Sequence, residues 1–106
     1  MGFVYLLECS NDDDTVYKIG FTKGSVQERI KNLQTGNSYK IKELCNYSTK
    51  YNQKLEQSLH RHYSHCRCKK GEWFNLNIQE ISTFIKTCER LENNFDFLKE
   101  NNYFFK

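Results

Sequence analysis

The chain has 106 residues, a length that fits one domain with one modest hydrophobic core. Aromatic residues make up 15% of it, which favours a packed fold over a disordered chain. Its apolar runs are far shorter than the roughly 20 residues of a membrane helix, and no secretion signal opens the chain. Five cysteines without the spacing of a disulfide scaffold favour reduced thiols. These features predict an intracellular protein that is neither secreted nor bound to a membrane.

The net charge of +3 hides an uneven distribution along the chain. Residues 1–14 carry a net charge of −4, and residues 71–106 carry −2. Between them, residues 15–70 combine 12 Lys and Arg with three Glu, for a net charge of +9. A concentrated positive field is typical of a surface that binds a polyanion, and a merely solubilising surface is the alternative.

The first 21 residues predict an antiparallel β-hairpin. Two runs rich in strand formers, 3–9 and 15–21, flank a polar turn signal. A turn centred just after Asn11 pairs Tyr5 with Lys18. Residues paired in this way have their side chains on the same face of the sheet.

A first helix is predicted to begin at Ser25, because Ser25 and Glu28 have the spacing of a capping box. Gly36 is a natural end for this helix. Arg29 lies about 60° around the helix from Val26, the first residue of the apolar stripe. We therefore expect Arg29 at the rim of the stripe, where it can enter a cleft over the sheet.

The rest of the chain continues the alternation of strands and helices. A third strand is predicted within residues 39–48, a second helix over 50–66 and a short fourth strand over 71–76. A helix then follows, and the element order is β-β-α-β-α-β-α. We expect residues 1–76 to form the core and residues 77–106 to form a helical extension packed on it.

The second helix is predicted to place three reactive side chains on one flank. Glu56, His60 and Tyr63 lie within about 60° of each other around its axis. A carboxylate, an imidazole and a phenol therefore share a face. His62 falls within the apolar stripe of the same helix, so we expect it in the core.

A group of four residues near the end of this helix is rich in zinc-ligand types: His62, His65, Cys66 and Cys68. Their spacing does not match a standard zinc motif, because Cys-x-Cys is not a zinc knuckle. Two of the four are also predicted to be buried or helical. From the sequence we therefore do not expect zinc.

Five motifs occur in a set order between residues 2 and 76. They are Phe3-Val4-Tyr5, Tyr17-Lys18-Ile19-Gly20, Arg29 on a helix that ends in Leu33-Gln34-Thr35-Gly36-Asn37, Glu56-Gln57-Ser58-Leu59-His60, and Gly71-Glu72-Trp73-Phe74. In this order they resemble the GIY-YIG nuclease superfamily, and more narrowly its phage- and virus-borne branch described as a DNA-binding domain. The resemblance implies an α/β (α+β) fold, whose mainly antiparallel central sheet is flanked by helices and forms the floor of the active site.

The resemblance also implies an endonuclease that hydrolyses phosphodiester bonds in DNA or structured nucleic acid with the help of Mg²⁺ or Mn²⁺. By position, Tyr5 would activate the attacking water, Arg29 would bind the scissile phosphate and Glu56 would hold the metal. These residue types suit the roles. A guanidinium matches phosphate oxygens, and Mg²⁺ takes one or two protein carboxylates while it keeps several waters.

Five further side chains are candidates for the same site. Lys18 and His60 are predicted beside the reacting phosphate, where Lys18 acts as a base or as a fixed phosphate contact. Three lysines are predicted to contact the nucleic-acid backbone: Lys23, Lys69 and Lys70.

Two departures from the superfamily pattern keep a rival function open. Lys18 stands where the second motif has Tyr, and Phe3 stands at the Gly position of the first. The rival is a nucleic-acid-binding module that has lost cleavage, and a third possibility is a protein-interaction domain that uses the aromatic segment 93–106. The small size favours recognition of nucleic-acid shape, ends or junctions over sequence, or a homodimer that holds two strands.

Overall fold

A three-stranded antiparallel sheet forms the centre of the protein. The structure is a computed structural model that describes residues 1–36, 38–68 and 73–100. Its strands are β1 (Gly2–Ser10), β2 (Thr15–Thr22) and β3 (Lys40–Thr49). They are ordered β2-β1-β3, so β2 and β3 are the edges of the sheet.

Helices flank this sheet, which confirms the predicted α+β class. They are α1 (Val26–Gln34), α2 (Asn52–His62), α3 (Ile78–Ser82) and α4 (Phe84–Glu100), with a 3₁₀ turn at Ser64–Cys66. The Ser25 side chain accepts a hydrogen bond from the backbone N–H of Glu28, so α1 begins with the predicted cap. Among the helices described, none is long and apolar enough to cross a membrane.

The register of the hairpin differs from the predicted one by two residues. Tyr5 lies opposite Gly20 rather than Lys18. The prediction was wrong because the Asn11 side chain accepts hydrogen bonds from two backbone N–H groups and closes a loop of four residues, 11–14. A shift of two residues preserves the facing of side chains, so Tyr5 and Lys18 still share a face.

The hydrophobic core covers both faces of the sheet. The larger cluster lies between the sheet and the helices α2 and α4, and it includes Leu55, Leu59 and Phe84. The smaller cluster lies on the opposite face, where Tyr5 packs with Val26 of α1. The helices α1 and α2 therefore pack on opposite faces of the sheet, and side chains from both reach the outer edge of β2.

The second helix is shorter than predicted, and its buried stripe follows a different line. It ends at His62, which is exposed rather than in the core. The buried positions run at intervals of four residues through Leu55, Leu59 and Tyr63. Tyr63 is only 2% exposed and stacks on Phe84, with 6.2 Å between ring centroids. The prediction was wrong because Tyr63 takes the core position one turn after Leu59, which leaves the adjacent His62 on the exposed side of the helix.

The predicted fourth strand is reduced to a single bridging residue among the described residues 73–76. Phe74 is fully buried and makes antiparallel bridges to both Tyr17 and Arg67. Pairing stops there because the chain turns within three residues to Asn77, which caps α3. The first two positions of the predicted strand lie outside the described residues.

The C-terminal helix packs against the rest of the fold. Phe95 of α4 is 7% exposed and belongs to the larger core cluster. Glu92 accepts hydrogen bonds from Tyr47 at 2.9 Å and from Thr49, both on β3. The domain boundary at residue 76 stays a prediction, and the last residues of the aromatic segment, 101–106, lie outside the described part of the chain.

Candidate functional site

A cleft of about 540 Å³ opens beside the edge strand β2, with side chains from α1 and α2 on its walls. It brings together six of the side chains predicted for the site: Tyr5, Lys18, Lys23, Arg29, Glu56 and His60. The two remaining predictions, Lys69 and Lys70, lie outside the described residues.

Tyr5 forms part of the floor of the cleft. Its ring is almost fully buried, with 1% of the residue exposed, yet its hydroxyl reaches the cleft. Gly20 makes this possible. A Cβ at position 20 would lie 2.5 Å from the Tyr5 hydroxyl oxygen and 2.7 Å from Cζ, so any larger residue would displace the ring.

Arg29 connects α1 to this floor. Its Nε donates a hydrogen bond to the Tyr5 hydroxyl at 3.3 Å. Arg29 is exposed while Val26, one turn earlier, is buried, which matches the expected position at the rim of the stripe. A guanidinium has five N–H donors and this bond uses one of them, so the group can bind phosphate oxygens while it touches Tyr5.

Glu56 and His60 lie one turn apart on α2 and reach the cleft from the other side. His60 Nε2 lies 2.8 Å from the backbone oxygen of Ile19. A carbonyl only accepts, so Nε2 carries the proton and Nδ1 is the acceptor of the neutral ring. The bond satisfies an outward-facing carbonyl of an edge strand and holds α2 against β2. Tyr63, predicted on the same flank, packs in the core instead.

Lys18 lies beside an aromatic pair at the end of the cleft. Its Nζ is 5.5 Å from the ring centroid of Trp73, which in turn stacks with Tyr39 at 5.8 Å. This cation–π contact holds the ammonium at the end of the cleft. The neighbouring Tyr17 packs on the larger core cluster, on the opposite face of the sheet. It therefore does not supply a phenol to the cleft in place of Lys18.

Sequence reasoning missed one charged residue of the cleft, Arg67. Its guanidinium lies 5.7 Å from the ring centroid of Phe74, and its backbone bridges the same residue. The Cys68 N–H donates to the Trp73 carbonyl at 2.8 Å, so the segment after α2 pairs with the described residues around Phe74. No local motif marks Arg67 for the cleft, because its position depends on pairing with Phe74, seven residues later.

The cleft is strongly cationic. Four lysine and arginine side chains face a single carboxylate, that of Glu56, among the described lining residues: Lys18, Lys23, Arg29 and Arg67. All of them come from the basic segment 15–70. Charge of this sign and density attracts a polyanion and suits the phosphates of a nucleic-acid backbone.

Comparison with known proteins supplies the family. No curated protein and no solved structure matches the chain. Residues 2–89 match the T5orf172 domain, a phage-associated domain with DNA-binding and nuclease-related members, and the match continues past residue 76 into α4. This confirms the phage-associated, nucleic-acid-binding part of the resemblance, while the narrower GIY-YIG assignment stays a prediction. The chain thus belongs to the T5orf172 domain family.

Proposed function

We propose that this chain is a metal-dependent endonuclease of the GIY-YIG type, which hydrolyses phosphodiester bonds in DNA or structured nucleic acid. One observation carries the proposal. Tyr5, Arg29 and Glu56, which come from three different elements, line a single cationic cleft, and Arg29 is hydrogen-bonded to Tyr5. The family supports the nucleic-acid class of the substrate.

Arg29 and Lys18 are the residues that would hold the scissile phosphate. Arg29 offers a planar fork of donors, and its bond to Tyr5 fixes the fork over the floor of the cleft. Lys18 contributes a point charge that Trp73 helps to position. This arrangement favours the role of phosphate contact for Lys18 over that of a base, since the contact with the ring holds the ammonium in a fixed position in the cleft.

Glu56 fits the metal that the resemblance implies. It is the sole carboxylate among the lining residues that the structure describes. Mg²⁺ and Mn²⁺ prefer oxygen ligands, and Mg²⁺ is commonly held by one or two carboxylates together with substrate phosphates and water. A cation bound there would stabilise the negative charge that develops on the phosphoryl and leaving oxygens.

Tyr5 and His60 are the residues that would handle the attacking water. The Tyr5 hydroxyl accepts from Arg29 and can donate to a water in the cleft, which orients the water toward a phosphate bound by the same arginine. His60 keeps Nδ1 as an acceptor, and an imidazole is the side-chain base suited to neutral pH. We therefore assign orientation to Tyr5 and proton acceptance to His60.

Cleavage and binding by a Glu56→Gln variant test this proposal. Supercoiled, branched and single-stranded substrates are incubated with Mg²⁺ or Mn²⁺, and binding is measured in parallel without metal. We expect cleavage to fall about 100-fold or more, because a metal contributes several kcal/mol to transition-state stabilisation. Binding should be retained, because the substitution removes a negative charge from the cleft.

Glu89→Gln is the matched control, since it removes the same charge from an exposed position on α4. It should cleave like the wild-type protein. Equal cleavage by the Glu56 and Glu89 variants would disprove the assigned role of Glu56.

A second candidate function is a nucleic-acid-binding module that does not cleave. Lys18 favours it, because the cleft presents an ammonium at the position where the superfamily pattern has a phenol. Salt-sensitive binding by the wild-type protein, with every substrate left intact in Mg²⁺ and Mn²⁺, would establish this function instead. The predicted homodimer stays a prediction, and sedimentation with and without DNA would test it.

A further inference from the structure

We infer that His65, Cys66 and Glu80 form a zinc site, outside the cleft, which fastens the segment after α2 to the start of α3. The inference does not depend on the proposed nuclease activity, because none of the three residues lines the cleft. It reverses the expectation from the sequence, where the histidines and cysteines around residue 65 lacked a recognised spacing.

The donor atoms have the spacing of zinc ligands. A Glu80 carboxylate oxygen, Oε2, lies 3.1 Å from Cys66 Sγ and 3.3 Å from His65 Nε2. All three donor atoms lie within 4.8 Å of one another. Zinc bonds of about 2.0–2.3 Å in a tetrahedron separate neighbouring ligand atoms by about 3.3–3.6 Å. A zinc ion therefore needs only small side-chain adjustments to bind all three.

The fold holds two of these ligands in place without a metal. The other carboxylate oxygen of Glu80 accepts from the backbone N–H of Asn77 at 2.9 Å, within a complete capping box. The Cys66 backbone is held on both sides, since its N–H donates to the Tyr63 carbonyl and its carbonyl accepts from the Asn75 N–H. Outer contacts of this kind orient ligands in known zinc sites.

The chemistry of the donors favours zinc over other common cations. A thiolate and an imidazole are ligands that Mg²⁺ and Ca²⁺ avoid and zinc prefers, and a carboxylate is a regular third ligand. Binding replaces the thiol proton of Cys66, which leaves to solvent. Three protein ligands leave a fourth position for water. The side chain of His65 is 69% exposed, which gives an ion a route into the site.

The third ligand explains why the sequence did not reveal the site. Glu80 lies 14 residues after Cys66 and is brought to it by the bridge at Phe74 and the turn into α3. Cys68, a member of the sequence-based group, packs with Trp73 in the smaller core cluster instead. The site therefore depends on a contact between two elements rather than on a local motif.

Metal content of the purified full-length chain tests the inference. We expect one zinc per chain by elemental analysis after expression in zinc-supplemented medium and dialysis. Co²⁺ should replace zinc with a thiolate-to-cobalt absorption band. His65→Ala and Cys66→Ser should each weaken zinc binding by more than about 100-fold, a larger loss than that typical of residues behind the ligands. The ring of His65 is exposed, so loss of zinc in His65→Ala does not reflect a collapsed core.

Cys68→Ser is the matched control and should keep both the zinc and the cobalt band. A wild-type chain that neither contains zinc nor binds it in titration would overturn the inference and leave a hydrogen-bonded cluster. The inference would also be overturned if the His65→Ala and Cys66→Ser variants keep their zinc while the Glu56→Gln variant loses it, because the ion would then occupy the cleft.

Discussion

Gly20 shows how one residue determines the geometry of the cleft. Tyr5 and Gly20 are cross-strand partners, and the phenol lies over the backbone where a side chain would otherwise stand. The contact is closer than a Cβ allows, so the hydroxyl reaches Arg29 only because position 20 has no side chain. The glycine of the second motif is therefore explained by packing, without a turn or an unusual backbone angle.

Replacement of Gly20 by alanine tests this explanation. The added methyl group must displace the Tyr5 ring, and overpacking of this kind costs about 1–3 kcal/mol of unfolding free energy. We also expect cleavage to fall, because the bond between Tyr5 and Arg29 is lost. Urea denaturation and a cleavage assay measure the two effects.

Gly24→Ala is the control for this prediction. A Cβ at position 24 would meet only the Thr22 hydroxyl, at 3.9 Å. Its unfolding free energy should stay within about 0.5 kcal/mol of the wild-type value. Equal destabilisation by both variants would rule out a specific clash with Tyr5.

At the scale of elements, hydroxyl–carboxylate bonds attach α4 to the rest of the fold. Glu92 accepts from Tyr47 and Thr49, and one turn later Asp96 accepts from Tyr51 at 2.7 Å. Burial and the Glu92 carboxylate raise the pKa of the Tyr47 hydroxyl, so it stays a donor at neutral pH. These hydrogen bonds are directional, so they orient α4 in addition to the apolar contact that Phe95 makes with the core.

The attachment at Asp96 should weaken in acid. The Tyr51 hydroxyl, with a smaller contribution from the Lys50 ammonium, holds the pKa of the Asp96 carboxyl below its ordinary value of 3.8. A carboxyl whose pKa is lower in the folded state than in the unfolded state stabilises the fold at any pH above its unfolded-state pKa. This stabilisation is lost as the pH falls through its folded-state pKa. Asp96→Asn should therefore lower Tm at pH 7, and the difference from wild type should shrink below pH 3.8.

Tyr51→Phe completes a double-mutant cycle for this pair. In the Tyr51→Phe background, Asp96→Asn should lose most of its effect on Tm at pH 7. Additive effects of the two substitutions would show that the hydroxyl is not the partner through which Asp96 stabilises α4.

At the scale of the whole molecule, the modest net charge conceals a cationic cleft on a surface whose positive and negative charges otherwise nearly balance. Among the side chains that the structure describes, the acidic residues of the first turn, 12–14, and those of α4 at positions 89, 92 and 96 do not line the cleft, whereas four cations do. Phosphate contacts release counterions when they form. The number of such contacts can therefore be measured as a salt dependence.

The affinity for duplex DNA should fall steeply with salt. Four phosphate contacts in the cleft correspond to a slope of log K against log salt of about −3.6. Arg67→Gln should make this slope shallower by about 0.9, the contribution of one phosphate contact. Lys86 is exposed on α4 outside the cleft, so Lys86→Gln should leave the slope unchanged. Fluorescence anisotropy in the absence of metal measures both slopes, and an unchanged slope for Arg67→Gln would exclude this residue from the binding surface.

The sequence by itself determined the features that depend on near neighbours: the order of the first three strands and first two helices, the cap at Ser25 and the position of Arg29 at the rim of α1. The resemblance of its motifs to a known nuclease superfamily also implied that Tyr5, Arg29 and Glu56 share one candidate site. Only the tertiary structure decided the register opposite Tyr5, the burial of Tyr63 in place of His62 and the entry of Arg67 into the cleft. The physical reason is one of range. Caps and helical periods are set within a few residues, whereas these features depend on how loops close and on which distant elements pack together.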